Sequence, residues 1–261
     1  MAVPVLAYDG GGIRFGSRAK IMLKLNNISK SYNKGLIKAV DNISLDIKSG
    51  EIFGFLGPNG AGKTTTIKMI VGLLKPDNGN IIAGGVDVWE EPLRAKSMIS
   101  YVPDSPEIYD KLKGIGYLNF IADMYEISKD IREERIERYL EMFEIKDAVN
   151  DIIGSYSRGM KQKLVLTAAL MNEPELFILD EPMVGLDPKS SFNLKETMRQ
   201  MRDGGKTIFF STHILEVAEK FCDRIAIINK GKIVAMGTME ELRSHAEERE
   251  TLENIFLELT E

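Results

Sequence analysis

A chain of 261 residues, 44% hydrophobic and 28% charged, has the length for a substantial core and an ordinary globular composition, which excludes a disordered or fibrous protein. Its 34 basic and 39 acidic residues give a net charge of −5 with no strongly basic run, which argues against nucleic acid as a main partner; its single cysteine, Cys222, excludes a disulfide framework or multi-cysteine metal site and fits a reducing compartment. No apolar stretch approaches the ~18–20 residues needed to span a bilayer, so any membrane role must be borrowed from a partner chain.

Residues 1–21 read as a flexible extension or non-native leader ahead of Met22. The apolar piece at residues 2–8 is short and lacks a basic segment before it, which makes a poor secretory signal. Asp9-Gly-Gly-Gly-Ile-Arg14 resembles the oxyanion loop of patatin-like lipases, but the GxSxG nucleophile elbow that such enzymes need is nowhere in the sequence. Short alternating strands are predicted at residues 22–25 and 39–47, with Tyr32 between them in the polar turn Ser29-Lys-Ser-Tyr-Asn-Lys-Gly35. An aromatic ring there either packs half-buried or stacks on a purine base.

The stretch at residues 51–65 organises the rest. Ile52, Phe53, Phe55 and Leu56 read as a buried strand, and Ile67, Met69, Ile70 and Leu73 have helical spacing. Between them, Gly57-Pro58-Asn59-Gly60-Ala61-Gly62-Lys63-Thr64 fits the phosphate-binding pattern GxxxxGK[ST] at every fixed position, with Thr65 following. Glycines let backbone N–H groups approach a polyphosphate, and the helix N-terminus adds its partial positive charge. Lys63 can reach the β- and γ-phosphates, and the Thr64 hydroxyl is placed to ligate Mg²⁺. The stretch is read as a nucleoside-triphosphate site.

Gly72-Leu-Leu-Lys-Pro-Asp-Asn-Gly79 ends that helix, and strands are predicted at residues 81–88 and 97–102, with Asp104 at the exit of the second. Between residues 108 and 153 the period turns helical, with Ile136, Leu140 and Phe143 on one face. This reads as a helical lobe of about residues 105–170 inserted into an α/β domain. Ser155-Tyr-Ser-Arg-Gly-Met160 leads into its last, apolar helix. Leu176-Phe-Ile-Leu then closes on Asp180 and Glu181, which suits a central parallel strand covered on both faces. In a phosphate-loop enzyme the Asp at its end holds Mg²⁺. Gly185-Leu-Asp187-Pro188 forms a turn. The run at residues 206–213 is a second buried strand ending at His213, a residue either structural or chemical at such a place. A hairpin is predicted around Asn229-Lys-Gly231, Thr238 and Glu241 spell a capping box, and residues 246–261 form an acidic tail.

In this order the elements resemble the ATP-binding cassette of ABC transporters, over residues 22–245. The resemblance implies an α/β fold: a P-loop NTPase core with an antiparallel β-subdomain and an inserted α-helical signature lobe. It makes Tyr32 the adenine-stacking A-loop residue, residues 57–64 the Walker A loop and residues 176–180 Walker B. It further implies that Glu181 is the general base, Asp187 the D-loop acid and His213 the γ-phosphate switch. Residues 156–160 align with the signature LSGGQ, keeping Ser157 and Gly159. The other signature positions, and the closing residues 254–260, resemble export-type cassettes for drugs and sodium. Asp104 stands where most members carry the Q-loop glutamine. A carboxylate there is a harder, charged Mg²⁺ ligand one methylene shorter, joining Thr64 and Asp180 around the metal.

The resemblance also implies ATP and Mg²⁺ as ligands. A second cassette, identical or paralogous, would complete each ATP site with Ser157 and Gly159, and a separate transmembrane permease would bind the pair at the cytoplasmic face of the membrane, for export. Two other classes are weighed. A soluble ABC ATPase of DNA repair or translation usually carries a long coiled-coil insert or two cassettes, whereas this chain has one phosphate loop and no sustained heptads. A non-hydrolysing regulatory module would have lost Glu181 or His213.

Overall fold

The computed structural model describes residues 20–106, 108–244 and 252–260. The extension read at residues 1–21, with its lipase-like loop, lies outside them except for Lys20 and Ile21. Ile21 opens the first strand, one residue before the strand start predicted at Met22.

Alternating polarity at the start of the chain builds β1 (Ile21–Tyr32) and β2 (Ile37–Lys48), which bury Leu23, Leu25 and Ile28 against Ile43, Leu45 and Ile47. Both strands run further than their apolar residues suggest. Lys30, Ser31 and Tyr32 still pair with β2, because Asn27 and Asn42, at φ 49° and 56°, absorb irregularities in the register. Tyr32 therefore ends a strand instead of sitting inside the turn.

The short, fully buried β3 (Ile52–Leu56) passes through the glycine-rich loop into α1 (Lys63–Ile70). The single strand expected at residues 81–88 is two, β4 (Asn78–Ala83) and β5 (Val86–Asp87), split by a turn at Gly84 and Gly85. They complete an antiparallel sheet of order β2-β1-β4-β5.

A short helix, α2 (Pro92–Ser97), precedes β6 (Ile99–Val102). The helical stretch follows as α3 (Gly114–Met124), α4 (Lys129–Met142) and α5 (Arg158–Leu170). It turns Leu118, Ile136, Leu140, Phe143 and Leu164 into one core with the outer face of the second sheet. The chain then alternates β7 (Leu176–Asp180), α6 (Pro188–Asp203), β8 (Thr207–Thr212), α7 (Leu215–Phe221) and β9 (Arg224–Asn229). A hairpin leads to β10 (Lys232–Gly237), then α8 (Met239–Ser244) and α9 (Leu252–Thr260). The second sheet has the order β10-β9-β3-β8-β7-β6, parallel except for edge strand β10. The residues read as an acidic tail include a helix whose Leu252 is buried with Leu56, Ala218 and Ile227.

Strands β3, β7 and β8 are buried throughout, as expected of central parallel strands covered on both faces. Their alternate residues serve different cores: Phe53, Phe55 and Phe209 face the antiparallel sheet, while Phe177, Ile208 and Phe210 face the helices. Phe209 lies 5.9 Å from Phe53 and 5.4 Å from Phe55, ring centre to ring centre. Phe209→Ala is expected to lower stability by about 3–5 kcal/mol in urea titrations; a loss below 1 kcal/mol would mean that the two sheets collapse onto the void.

This topology sends β3, β6, β7 and β8 in the same direction, so the residues at their C-terminal ends gather on one rim. A crevice outside those ends is where open parallel sheets bind ligands.

Candidate active site

The phosphate loop is fixed by close packing. A Cβ on Gly57 would lie 2.4 Å from the Ile228 carbonyl oxygen, and one on Gly62, at φ 110°, 2.4 Å from that of Ala39. At the hairpin tip, Gly231 N–H donates to the Ala61 carbonyl (2.9 Å), and its own carbonyl accepts from Asp41 N–H (2.8 Å). The loop is thus clasped between β9, β10 and β2.

Beside it opens a cavity of about 190 Å³. It is lined by Pro58, Asn59, Gly60, Gly62, Lys63, Thr64 and Thr65 of the loop, by Asp104, Asp180 and Glu181, and by Ala39. Gly57 and Ala61 are not among the lining residues. The buried Lys63 ammonium donates to the carbonyls of Gly57 (2.6 Å) and Pro58 (3.3 Å) and lies 3.4 Å from Glu181 Oε1.

Asp180 ends β7 fully buried. Thr64 Oγ1 donates to its Oδ2 (2.6 Å), and Ser211 Oγ donates to its Oδ1. Burial pushes the Asp180 carboxyl above the usual range; the bonds from Ser211 and Thr64 oppose this, and the charges of Asp104 and Glu181 add to it.

Glu181 follows in a left-handed conformation, φ 49°, which costs a non-glycine residue roughly 1–3 kcal/mol. Its N–H is held by Ser211, through the side-chain oxygen (3.1 Å) and the carbonyl (3.3 Å). Its Oε2 is 2.9 Å from His213 Nδ1. Oε1 is buried without a hydrogen-bond donor among the described residues, the lysine contact lacking hydrogen-bond geometry. A carboxylate lining a cavity, with a lysine at one oxygen and a histidine at the other, is equipped to accept a proton from a molecule inside.

The donor set also fits a divalent ion. Thr64 and Asp180 are hard oxygen ligands already in contact, and Asp104 lines the same cavity. Among the described residues no group of three His, Cys, Asp or Glu side chains is placed to hold a metal ion. Mg²⁺ is commonly held by one or two carboxylates together with substrate phosphates.

The other predicted residues lie elsewhere. Tyr32 is half-exposed at the end of β1, paired with Ile37, two residues before Ala39. Ser157 caps α5, its hydroxyl oxygen accepting from Met160 N–H (3.2 Å). Gly159 packs so closely on the loop before α6 that a Cβ would lie 2.7 Å from the Gly185 carbonyl oxygen. Asp187 caps α6 through Ser190 N–H (2.9 Å) and Ser190 Oγ (2.8 Å), and pairs with Lys163 (2.7 Å). The Lys163 ammonium first, then Ser190, hold the Asp187 carboxyl below its ordinary value of 3.8. Its stabilising effect is complete above that value and is lost only as pH falls through the lower native one.

Ser157, Gly159 and Asp187 therefore gather at the adjoining N-termini of α5 and α6, away from the cavity wall. Sequence reasoning missed Ser211, whose signal was a hydroxyl within the buried run of β8, and Lys163, whose partner lies in a distant turn.

A family model described as ABC transporter matches residues 40–184. The chain is 42% identical over 223 residues to the linearmycin resistance ATP-binding protein LnrL of Bacillus subtilis (strain 168), covering 85% of this chain and 71% of that one. Among solved structures, an ATP-binding subunit of an ABC transporter superposes with a TM-score of 0.87 at 32% identity, covering 92% of this chain and 100% of the other. The ATP-binding cassette MJ0796, dimeric in a post-hydrolysis state with ADP and Pi, gives a TM-score of 0.76 at 26% identity, covering 84% and 99%.

Proposed function

The chain belongs to the ATP-binding subunits of ABC transporters and is an ATPase, and from that premise we propose that it works as one of two cassettes that close head to tail on ATP and drive a separate membrane permease. The observation that carries the catalytic part is Glu181. Its carboxylate lines the cavity beside the phosphate loop, with Oε1 3.4 Å from Lys63 and Oε2 2.9 Å from His213.

In this reading the loop amides and Lys63 bind the β- and γ-phosphates, and Tyr32 stacks on the adenine. Thr64, Asp180 and Asp104 hold Mg²⁺, which when bound neutralises charge on the phosphate oxygens. Glu181 orients a water molecule in line with the γ-phosphorus and takes its proton, and His213 contacts the γ-phosphate. Ser157 and Gly159 do not reach their own chain's cavity, so they serve the ATP of a second cassette, identical or paralogous. There the N-terminus of α5 adds donors to the γ-phosphate. After the β–γ bond breaks, those contacts are lost and the pair reopens.

The permease would dock on the helices beside Asp104. Tyr109 and Phe120 stack edge to face at 6.1 Å with both rings substantially exposed, and Met124 extends the apolar surface. Bound to that permease, the subunit would sit at the cytoplasmic face of a membrane; none of the described helices is long and apolar enough to cross one. Export is favoured by similarity to a protein named for linearmycin resistance.

Gentle detergent co-purification from native membranes, with mass spectrometry, tests the assignment. A stoichiometric multi-span protein is the expected companion. Ribosomal or DNA-bound companions would leave the chemistry standing and replace the role with that of a soluble ABC ATPase.

A further inference from the structure

Resting on the head-to-tail reading above, we propose that Lys163 is a positioning residue that locks the N-terminus of α5 to the turn at Asp187, so that the two surfaces each cassette presents to its partner form one unit. Gly159 and Lys163 are four residues apart on α5 and therefore share a face of the helix. Gly159 abuts the Gly185 carbonyl, and the Lys163 ammonium bonds Asp187 two residues further along the same turn. Two contact points fix both the distance and the rotation of α5 relative to the turn. One contact would fix only the distance.

The bridge is half-buried: the Lys163 side chain is 13% exposed and that of Asp187 41%, and Asp187 is already immobilised as the α6 cap by both donors of Ser190. A charge-assisted bond to a partner that is already ordered pays little of the entropy that makes exposed ion pairs weak. The same carboxylate thus serves two helix starts, capping α6 and anchoring α5. Loss of Lys163 leaves the Ser190 cap intact, so α6 keeps its start while α5 becomes free to rotate about the Gly159 contact. Ser157, at the first turn of α5, would then no longer hold its hydroxyl at a fixed distance from the Asp187 surface.

The test uses a Glu181→Gln background, in which an ATP-bound pair persists. Light scattering follows ATP-driven dimerisation of that parent and of its Lys163→Met and Lys163→Arg derivatives. Fluorescent nucleotide titration at low protein concentration reads each monomer's own ATP site. Lys163→Met is expected to weaken dimerisation by about 10–100-fold, the range for losing a hydrogen bond to a charged group. Its monomer should keep the parent's nucleotide affinity, and Lys163→Arg should restore dimerisation. If Lys163→Met dimerises like the parent, or if its loss is matched by an equal loss of the monomer's nucleotide affinity, Lys163 is a structural residue and the proposal fails. A parent that stays monomeric with ATP would overturn the head-to-tail reading, and this inference with it.

Discussion

Glu181→Gln is expected to retain ATP binding while turnover falls by about 10²–10⁴-fold, the usual worth of a positioned general base. The amide has nearly the same shape, and the backbone N–H that fixes this residue would still bond to Ser211. The strained φ of 49° would persist too, so the side chain should still point into the cavity. It could no longer accept a proton. Removing its charge also relieves repulsion against the γ-phosphate, so an ATP-bound pair should accumulate. Single-turnover hydrolysis together with light scattering reads both effects. Near-normal turnover would take Glu181 out of the base role and shift attention to His213.

Lys63→Ala should act one step earlier, on binding. The buried ammonium is held by two loop carbonyls and faces Glu181, while Asp104 and Asp180 add negative charge to the same cavity. Loss of a charged donor to phosphate weakens ATP binding by about 10–100-fold. Hydrolysis should drop further still, because the lysine also stabilises charge that develops on the transferring phosphoryl group. The empty variant should moreover be less stable than the parent, since Glu181 is left buried without its cation. Calorimetric titration with ATP and a thermal melt measure the two consequences separately. An unchanged ATP affinity would mean that the loop amides alone hold the phosphates.

The loop, Asp180 and Glu181 were legible as one site because each follows a continuous apolar run, and parallel strands deliver their C-terminal ends to one rim; the roles of Glu181 and His213 came only with the resemblance to the cassette family. Local spacing was enough for that placement. It was not enough for the extent of β1, where Asn27 and Asn42 let polar residues keep pairing, nor for the turn at Gly84 and Gly85 inside an otherwise strand-like run. Ser211 and Lys163 were hidden for a different reason. Their partners are 31 and 24 residues away, at Asp180 and Asp187, and no periodicity in the chain announces such a tertiary bond.

The clasp at Gly231 constrains how the molecule can deform. Its two backbone bonds join the phosphate loop to the hairpin and the hairpin to β2, which ties the nucleotide cradle to the antiparallel sheet. In the assembly proposed above, torque from a partner would then be taken up where α3 to α5 meet that frame, near Asp104, with the helices as the lever.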